Sequence, residues 1–170
     1  MEINKITLKN FKSIGGKIVE YNFQKNSINL IKGVPGTGKT TILSGIVFAL
    51  FGKSNDYKGK SKSSLPTSEL INDINKKDML VELTLDNGYT IIRGLKPAVF
   101  KILDENGDDM AIHSAKSIDQ DFIETNILNG MNQETFMTLI YLNSSPASVP
   151  FIYMTTAQRK DYIEKILDLS

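Results

Sequence analysis

The chain has 170 residues, 41% of them hydrophobic and 23% charged, a balance that suits one globular domain with its own core. No apolar run approaches the roughly 20 residues of a membrane span, and the first residues lack the layout of a signal peptide, so we expect a cytoplasmic protein without membrane contact. Because the sequence contains no cysteine, disulfides and thiolate-bound zinc are excluded.

The net charge of +1 conceals an uneven distribution. Residues 1–62 contain eleven lysines and three acidic residues, a net charge of +8, whereas residues 63–170 contain nine basic and sixteen acidic residues, a net charge of −7. A basic half can hold a polyanion, either a nucleotide or a nucleic acid. The alternative is that these lysines are solvated surface.

The first part of the chain predicts three strands. Apolar and polar residues alternate over residues 3–10 and again over residues 18–23, as in half-buried strands, and a glycine pair separates the two segments. The short apolar run at residues 28–31 (INLI) comes just before Gly33 and predicts a buried strand.

A helical period begins at Lys39. The apolar residues that share one predicted face are Ile42, Leu43, Ile46, Val47, Leu50 and Phe51, and Gly52 supplies a C-terminal stop. Residues 53–64 are polar and lack periodicity, which predicts a loop. The lysines of this loop either contact DNA, line the pocket of a nucleotide base or are solvated, and they are Lys53, Lys58, Lys60 and Lys62.

An antiparallel meander follows. Alternation over residues 79–85 leads into Asp86-Asn87-Gly88, a strong hairpin signal, and the chain returns over residues 89–93. A further strand is predicted over residues 99–103, before a second turn at residues 105–107.

The last third is predicted to be helical. One helix carries Ile118, Phe122, Ile123 and Ile127, and a second carries Phe136, Leu139 and Ile140. After a predicted loop at residues 143–150, Thr155 and Gln158 form a capping box for a last helix with Tyr162, Ile163, Ile166 and Leu167. Because no stop signal follows this helix, we expect the chain to continue in nature.

Residues 33–40 (GVPGTGKT) match the phosphate-binding pattern G-x-x-x-x-G-K-[ST] at every fixed position. Glycines permit backbone conformations that direct successive N–H groups at phosphate oxygens, at a helix N-terminus that favours anions. Lys39 is predicted to contact the β- and γ-phosphates of ATP or GTP and to act in catalysis, and Thr40 to ligate Mg²⁺. The predicted nucleotide-binding residues of this P-loop are Gly33, Pro35, Gly36, Thr37, Gly38, Lys39, Thr40 and Thr41.

Two interpretations of this P-loop compete. GVPGTGKTT resembles the AAA+ consensus, and residues 99–105 (VFKILDE) imitate a Walker B strand that ends in Asp104 and Glu105. Against this, Lys101 interrupts the apolar run, whereas a central parallel strand is continuous. The two acids also lead directly into a turn. An AAA+ motor or clamp-loader is therefore the alternative.

The second interpretation is a resemblance over nearly the whole chain. Asn10-Phe11-Lys12-Ser13 and Leu50-Phe51-Gly52 are similar to the N-terminal lobe of SMC and SbcC/Rad-type DNA-repair ATPases. The hairpin VELTLDNGYTIIRG and the tail that begins at Phe136 are similar to the large subunits of T4-like phage recombination endonucleases, a branch of that family. The resemblance implies an α/β P-loop NTPase fold: an ABC-ATPase-type N-terminal lobe with a mixed or antiparallel β meander and flanking helices.

The resemblance also implies roles outside the P-loop. Lys12 and Ser13 are expected to contact the nucleotide. The family has a glutamine that reaches the metal and the attacking water, and this chain offers Asn143, Ser144 and Ser145 at that place. Ser144 is our candidate catalytic residue, with its neighbours or water alone as the alternatives. Pro35 replaces the family's usual asparagine and has no N–H to donate.

No LSGGE-like signature segment or switch histidine is recognisable, and His113 is interpreted as a surface residue. In the resembled family those parts belong to a C-terminal lobe that lies beyond a long antiparallel coiled coil. The resemblance therefore implies that residues 1–170 form one lobe of a split head that is inactive alone, and that residues 155–170 begin the coiled coil. The implied cofactors are ATP and Mg²⁺. The implied partners are the chain's own C-terminal lobe, a second head in a homodimer, a metallo-phosphoesterase nuclease subunit and DNA. A non-catalytic scaffold that binds nucleotide structurally is a further alternative.

Overall fold

The computed structural model describes residues 1–54, 65–112, 116–141 and 154–166. Its strands are β1 (Ile3–Lys9), β2 (Val19–Asn22), β3 (Met79–Leu85), β4 (Thr90–Leu95) and β5 (Val99–Leu103). Its helices are α1 (Lys39–Phe51), a 3₁₀ helix (Thr67–Leu70), α2 (Lys116–Phe122) with a π turn after it (Ile123–Ile127), α3 (Gln133–Leu139) and α4 (Thr156–Ile166). Within these described ranges, no helix has both the length and the apolar character needed to cross a membrane.

The five strands form one antiparallel sheet in the order β2-β1-β3-β4-β5. Successive side chains of a strand point to opposite faces, and β3 accordingly buries every second residue. The register pairs Ile6 with Leu83 and Leu83 with Ile91, so the buried residues of neighbouring strands make one continuous apolar face. Helix α1 packs on this sheet against β1, β3 and β4.

Helix α1 is buried on almost every side, so the single apolar stripe predicted for it is too narrow. Every residue from 41 to 51 is buried except Leu43, a member of the predicted stripe, which is 40% exposed. The rings of Phe11 and Phe136 pack against phenylalanines of α1, with centroids 5.8 and 5.4 Å apart. Periodicity identifies the face that meets one partner and cannot show that further elements cover the others.

The strand predicted at residues 28–31 is wrong. These residues form no strand, and the side chains of Ile28 and Leu30 are 98% and 73% exposed. A strand needs a neighbour that pairs with its N–H and C=O groups, and none of the described strands pairs with this segment. The apolar pattern therefore indicates a segment suited to burial whose covering element is not among the described residues.

The predicted meander is confirmed. The N–H of Leu85 donates to the carbonyl of Tyr89 across the β3–β4 turn at 2.9 Å, and Gly88 has the positive φ, 88°, that such a turn requires. β5 pairs antiparallel with β4 over residues 99–103, as predicted. The α/β class with an antiparallel meander and flanking helices is thus the observed fold.

The helical predictions for the last third are partly confirmed. Helix α2 passes into a π turn, and Leu139 and Ile140, which the predicted second helix shares with Phe136, are half-exposed whereas Phe136 is buried. The capping box is confirmed: the N–H of Thr155 donates to Gln158 Oε1 at 2.9 Å, and the N–H of Gln158 donates to Thr155 Oγ1 at 3.3 Å. The predicted loop at 143–150, most of the lysine-rich loop, His113 and residues 167–170 lie outside the described residues.

Candidate nucleotide-binding site

The P-loop leads into α1 as its motif predicts. Gly38 is the N-cap of α1, with φ 86°, and Gly36 has φ 84°. Both values lie in the left-handed region that only glycine occupies without steric cost. Beside Gly36, no atom lies within 4 Å of the position that a Cβ would take, so the loop is open above its glycine. The arrangement presents a helix N-terminus whose N–H groups are available to an anion.

Lys39 lies over its own loop. Its ammonium donates to the carbonyl oxygens of Gly33 and Val34, both at 2.8 Å, and the Thr37 hydroxyl donates to the Val34 carbonyl at the same distance. Thr40 is exposed at the first turn of α1, whereas Thr41 is buried. The positive charge therefore lies on the loop carbonyls, and an exposed threonine follows it on the first turn of α1.

The turn after β1 meets α1 beside the P-loop. The hydroxyls of Ser13 and Thr41 are 3.0 Å apart, and the Lys12 ammonium donates to Ser44 Oγ at 3.1 Å. The position of a Cβ on Gly38 would lie 3.1 Å from Ser13 Oγ, so the turn and the loop are in direct contact. The structure thus brings Lys12 and Ser13 to the P-loop, and it places the hydroxyl of Thr41 on Ser13. The roles of these residues toward a nucleotide stay predictions.

A network of asparagines, which sequence reasoning missed, holds this turn. Asn72 donates from Nδ2 to the carbonyl of Lys12 at 2.8 Å and from its N–H to the carbonyl of Asn10 at 2.8 Å. Asn75 donates to Asn10 Oδ1 at 2.7 Å. Asn10 and Asn72 are both buried. Their only sequence signal is polarity next to apolar strands, which does not show that two segments some 60 residues apart will pair.

Comparison with known proteins identifies the family to which the chain belongs. Residues 5–169 match the AAA domain family. The chain belongs to that family. It is 32% identical to exonuclease subunit 2 of Escherichia phage RB69 over 99% of its own length and 28% of the relative's. It is 26% identical to the DNA double-strand break repair Rad50 ATPase of Thermoplasma volcanium over 99% of its length and 18% of the relative's. The chain thus spans less than a third of these relatives.

A solved structure supports the fold. It comes from work on the "structural biochemistry of ATP-driven dimerization and DNA stimulated activation of SMC ATPases", and it superposes with a TM-score of 0.63 over 98% of this chain and 99% of its own, at 24% identity. The resemblance to the SMC and SbcC/Rad-type ATPase lobe is confirmed by these matches together.

Asp104 in this AAA-family chain has the role of a turn residue. Its Oδ1 accepts from the N–H groups of Asn106 and Asp108, both at 2.9 Å, and these backbone and side-chain bonds lower the pKa of its carboxyl. The strand before it, β5, is at the edge of the sheet and pairs with β4 alone among the described strands. A Walker B strand would lie inside a parallel sheet. The geometry agrees with the hairpin interpretation and disfavours the AAA+ motor alternative.

The side chains of this site could hold Mg²⁺ only together with the phosphate oxygens of a bound nucleotide. Among the described residues there is no group of three or more His, Cys, Asp or Glu side chains that could hold a metal ion. Thr40 offers one exposed hydroxyl, and Mg²⁺ keeps waters and phosphate oxygens as its other ligands in such sites. Ser144, the candidate catalytic residue, lies outside the described residues.

Proposed function

We propose that this chain is the ATP-binding lobe of an ABC-type ATPase subunit in a DNA double-strand-break repair or recombination nuclease complex. The observation that carries the proposal is the open P-loop at the start of α1, with the Lys39 ammonium on the loop and the Lys12-Ser13 turn against the helix. The names of the relatives, an exonuclease subunit and a double-strand-break repair ATPase, supply the process.

Different residues of the site would contact different parts of the nucleotide and its Mg²⁺ ion. Backbone N–H groups from Gly36 to Thr40 would surround the phosphates, and Lys39 would exchange its two loop carbonyls for phosphate oxygens, which are stronger acceptors because they are charged. Thr40 would hold Mg²⁺, which, when bound, neutralises charge that develops on the phosphates. Lys12 would add a second positive charge on the other side of the loop.

We propose that this site needs a partner to hydrolyse ATP. The described part of the site offers no carboxylate that positions water, and a second head in a homodimer would supply the signature segment. The segment at residues 28–31 supports a further partner, the complementary C-terminal lobe: Ile28 and Leu30 are exposed directly before the P-loop, where a pairing strand would cover them. The chain alone is therefore proposed to turn over ATP negligibly.

The remaining partners follow from the same proposal. DNA would bind the paired heads, a metallo-phosphoesterase nuclease subunit would cut it, and the complex would act in the cytoplasm. Helix α4 would be the root of a coiled coil. It is anchored through Tyr162, which is 6% exposed and donates from its hydroxyl to the carbonyl of Thr135 at 3.5 Å.

Titration of labelled ATP against the Lys39→Ala variant tests nucleotide binding. We expect binding to fall below detection, because charge-assisted contacts with the phosphates are lost. Lys32→Ala, which removes an equal charge from an exposed lysine just before the P-loop, is the control and should bind as the unmodified chain does. Equal affinity of both variants and the unmodified chain would contradict the assignment of the P-loop.

A further inference from the structure

The C-terminal end of α1 is buried, so its last carbonyl groups need hydrogen-bond donors from the protein. The last carbonyl groups of a helix have no partner within the helix. Ala49 and Leu50 are fully buried and Phe51 is 4% exposed, so water cannot satisfy these carbonyls. Gly52 donates from its N–H to the carbonyl of Phe48 at 2.8 Å, and α1 has no basic residue in its own last turn. The remaining donors must therefore come from another element.

Arg93 of β4 supplies them. Its Nε donates to the carbonyl of Ala49 at 2.6 Å and its Nη2 to the carbonyl of Leu50 at 3.4 Å. Gln120 of α2 donates to the same Leu50 carbonyl at 3.1 Å and accepts from Arg93 Nη2 at 2.7 Å. One guanidinium thus joins the end of the P-loop helix to a strand and to a second helix.

The surroundings fix this guanidinium. It stacks over the Phe100 ring with Cζ 4.3 Å from the centroid, and a Cβ on Gly52 would lie 2.9 Å from Nη1, so a larger residue at position 52 would have to displace it. Burial lowers the pKa of Arg93 to about 10 and the nearby Asp119 opposes that shift, so the group is charged at neutral pH. Asp119 is 2% exposed, accepts from the N–H of Ile112 at 2.7 Å, and has one oxygen without a hydrogen-bond partner. Arg93 is therefore a nearby positive charge for this carboxylate.

We propose that Arg93 is a positioning residue for the nucleotide site, acting through α1. The helix has 13 residues, and at 1.5 Å per residue its two ends are about 20 Å apart. Lys39 and Thr40 lie at one end of α1 and the guanidinium lies at the other. The hydrogen bonds of Arg93 and Gln120 to the last carbonyls of α1, called the anchor below, therefore set the depth and rotation of the helix against the sheet. The proposal rests on the proposed function, because it concerns the binding of ATP at that site.

Small displacements of α1 matter because the site is assembled from two segments. The contacts of Ser13 with Thr41 and of Lys12 with Ser44 exist only when α1 holds its present position beside the turn after β1. A shift of the order of 1 Å would break hydrogen bonds of about 3 Å and misplace groups that must meet phosphate oxygens. The anchor therefore links β4 and α2 to the fit of the nucleotide.

The test compares two variants of the anchor with a matched control. Arg93→Lys keeps a counter-charge for Asp119 but has no planar fork that can bridge two carbonyls and Gln120. Gln120→Ala removes the second donor to the Leu50 carbonyl and the side-chain acceptor of Arg93 Nη2, but it keeps the guanidinium itself. The control, Tyr89→Ala, removes an edge-on ring contact with Phe122, 5.9 Å between centroids, and does not touch the end of α1. All are studied at a temperature at which circular dichroism shows them folded.

We expect Arg93→Lys to raise the Kd for Mg-ATP by about two- to thirtyfold, Gln120→Ala to raise it less, and Tyr89→Ala to leave it unchanged. By linkage, ATP should slow hydrogen exchange at the Gly52 amide of the unmodified chain and not of Arg93→Lys. An unmodified chain that does not bind ATP would overturn the proposed function. Equal affinity of Arg93→Lys and the unmodified chain, or an equal loss in Tyr89→Ala, would overturn this inference alone.

Discussion

At the scale of single residues, the candidate site depends on how two lysines are held. Lys39 bonds to carbonyls of its own loop, and Lys12 reaches Ser44 on the second turn of α1. Both ammonium groups thus lie at the start of the same helix although they come from different segments. Arg93, at the other end of that helix, is charged at neutral pH because its pKa, though lowered to about 10 by burial, remains well above 7.

Lys12→Met tests the second lysine. We expect the Kd for ATP to rise about tenfold or more, since hydrogen bonds to charged groups contribute about 1.5–3 kcal/mol. Isothermal titration calorimetry measures the change directly. Lys17→Met is the matched control, because Lys17 is an exposed lysine of the same turn region. If both variants weaken ATP equally, Lys12 acts only through the general positive potential and makes no contact of its own.

At the scale of secondary-structure elements, α1 and β1 approach unusually closely at Gly45. A Cβ there would lie 2.7 Å from Leu8 Cδ2 and 3.0 Å from Ile6 Cδ1. Glycine within a helix lowers helix stability by about 1 kcal/mol relative to alanine, so its presence at this position favours close packing over local helix propensity. The close approach also holds the P-loop end of α1 near the turn that carries Lys12 and Ser13.

Gly45→Ala is expected to destabilise the chain despite the better helix propensity of alanine. Overpacking costs about 1–3 kcal/mol, so most of that range exceeds the gain of about 1 kcal/mol from propensity. Urea unfolding followed by circular dichroism measures the free energy of unfolding. In the double variant Leu8→Ala/Gly45→Ala the closer clash, with Leu8 Cδ2, is gone and only the contact with Ile6 Cδ1 remains. The two effects should therefore not add, and the double variant should lose less free energy of unfolding than the sum of the two single variants. A more stable Gly45→Ala variant would show that β1 and α1 are not in close contact.

At the scale of the whole molecule, the sheet is continuous and its apolar face is covered, yet the segment before the P-loop is not. Ile28 is almost fully exposed and Leu30 is 73% exposed, whereas the antiparallel strands bury their alternate residues. Large exposed apolar side chains close to one another indicate an interaction surface. This surface is adjacent to the loop that would bind the nucleotide, so a partner that covers it would also contact the site.

The double variant Ile28→Lys/Leu30→Lys tests this surface. We expect the free energy of unfolding of the chain by itself to change by no more than about 0.5 kcal/mol, because exposed substitutions remove no packing. Association with the complementary lobe, followed by size-exclusion chromatography after co-expression, should be abolished. Ile18→Lys, at a half-exposed isoleucine before β2, is the control and should leave association intact. Unaltered association of the double variant would place the lobe contact elsewhere.

Features that are encoded in contiguous residues could be predicted from the sequence. The P-loop, the Asp86-Asn87-Gly88 hairpin and the capping box of Thr155 and Gln158 each depend on backbone conformations and bonds over a few positions, so their residue types predict them directly. The family resemblance extended this to Lys12 and Ser13 by motif, without showing where they lie.

Contacts between distant segments, in contrast, became visible only in the folded chain. Three contacts depend on strand order and register, which no local pattern encodes. They are the contact of the turn after β1 with α1, the hydrogen bond of Asn72 to that turn, and the hydrogen bond of Arg93 to Ala49. The strand predicted at residues 28–31 is wrong for the same reason. An apolar run is a local signal, whereas a strand also needs a neighbouring segment that pairs with its backbone groups. Leu43 is exposed and the rest of α1 buried because packing partners, rather than helical period, decide which sides of a helix are covered.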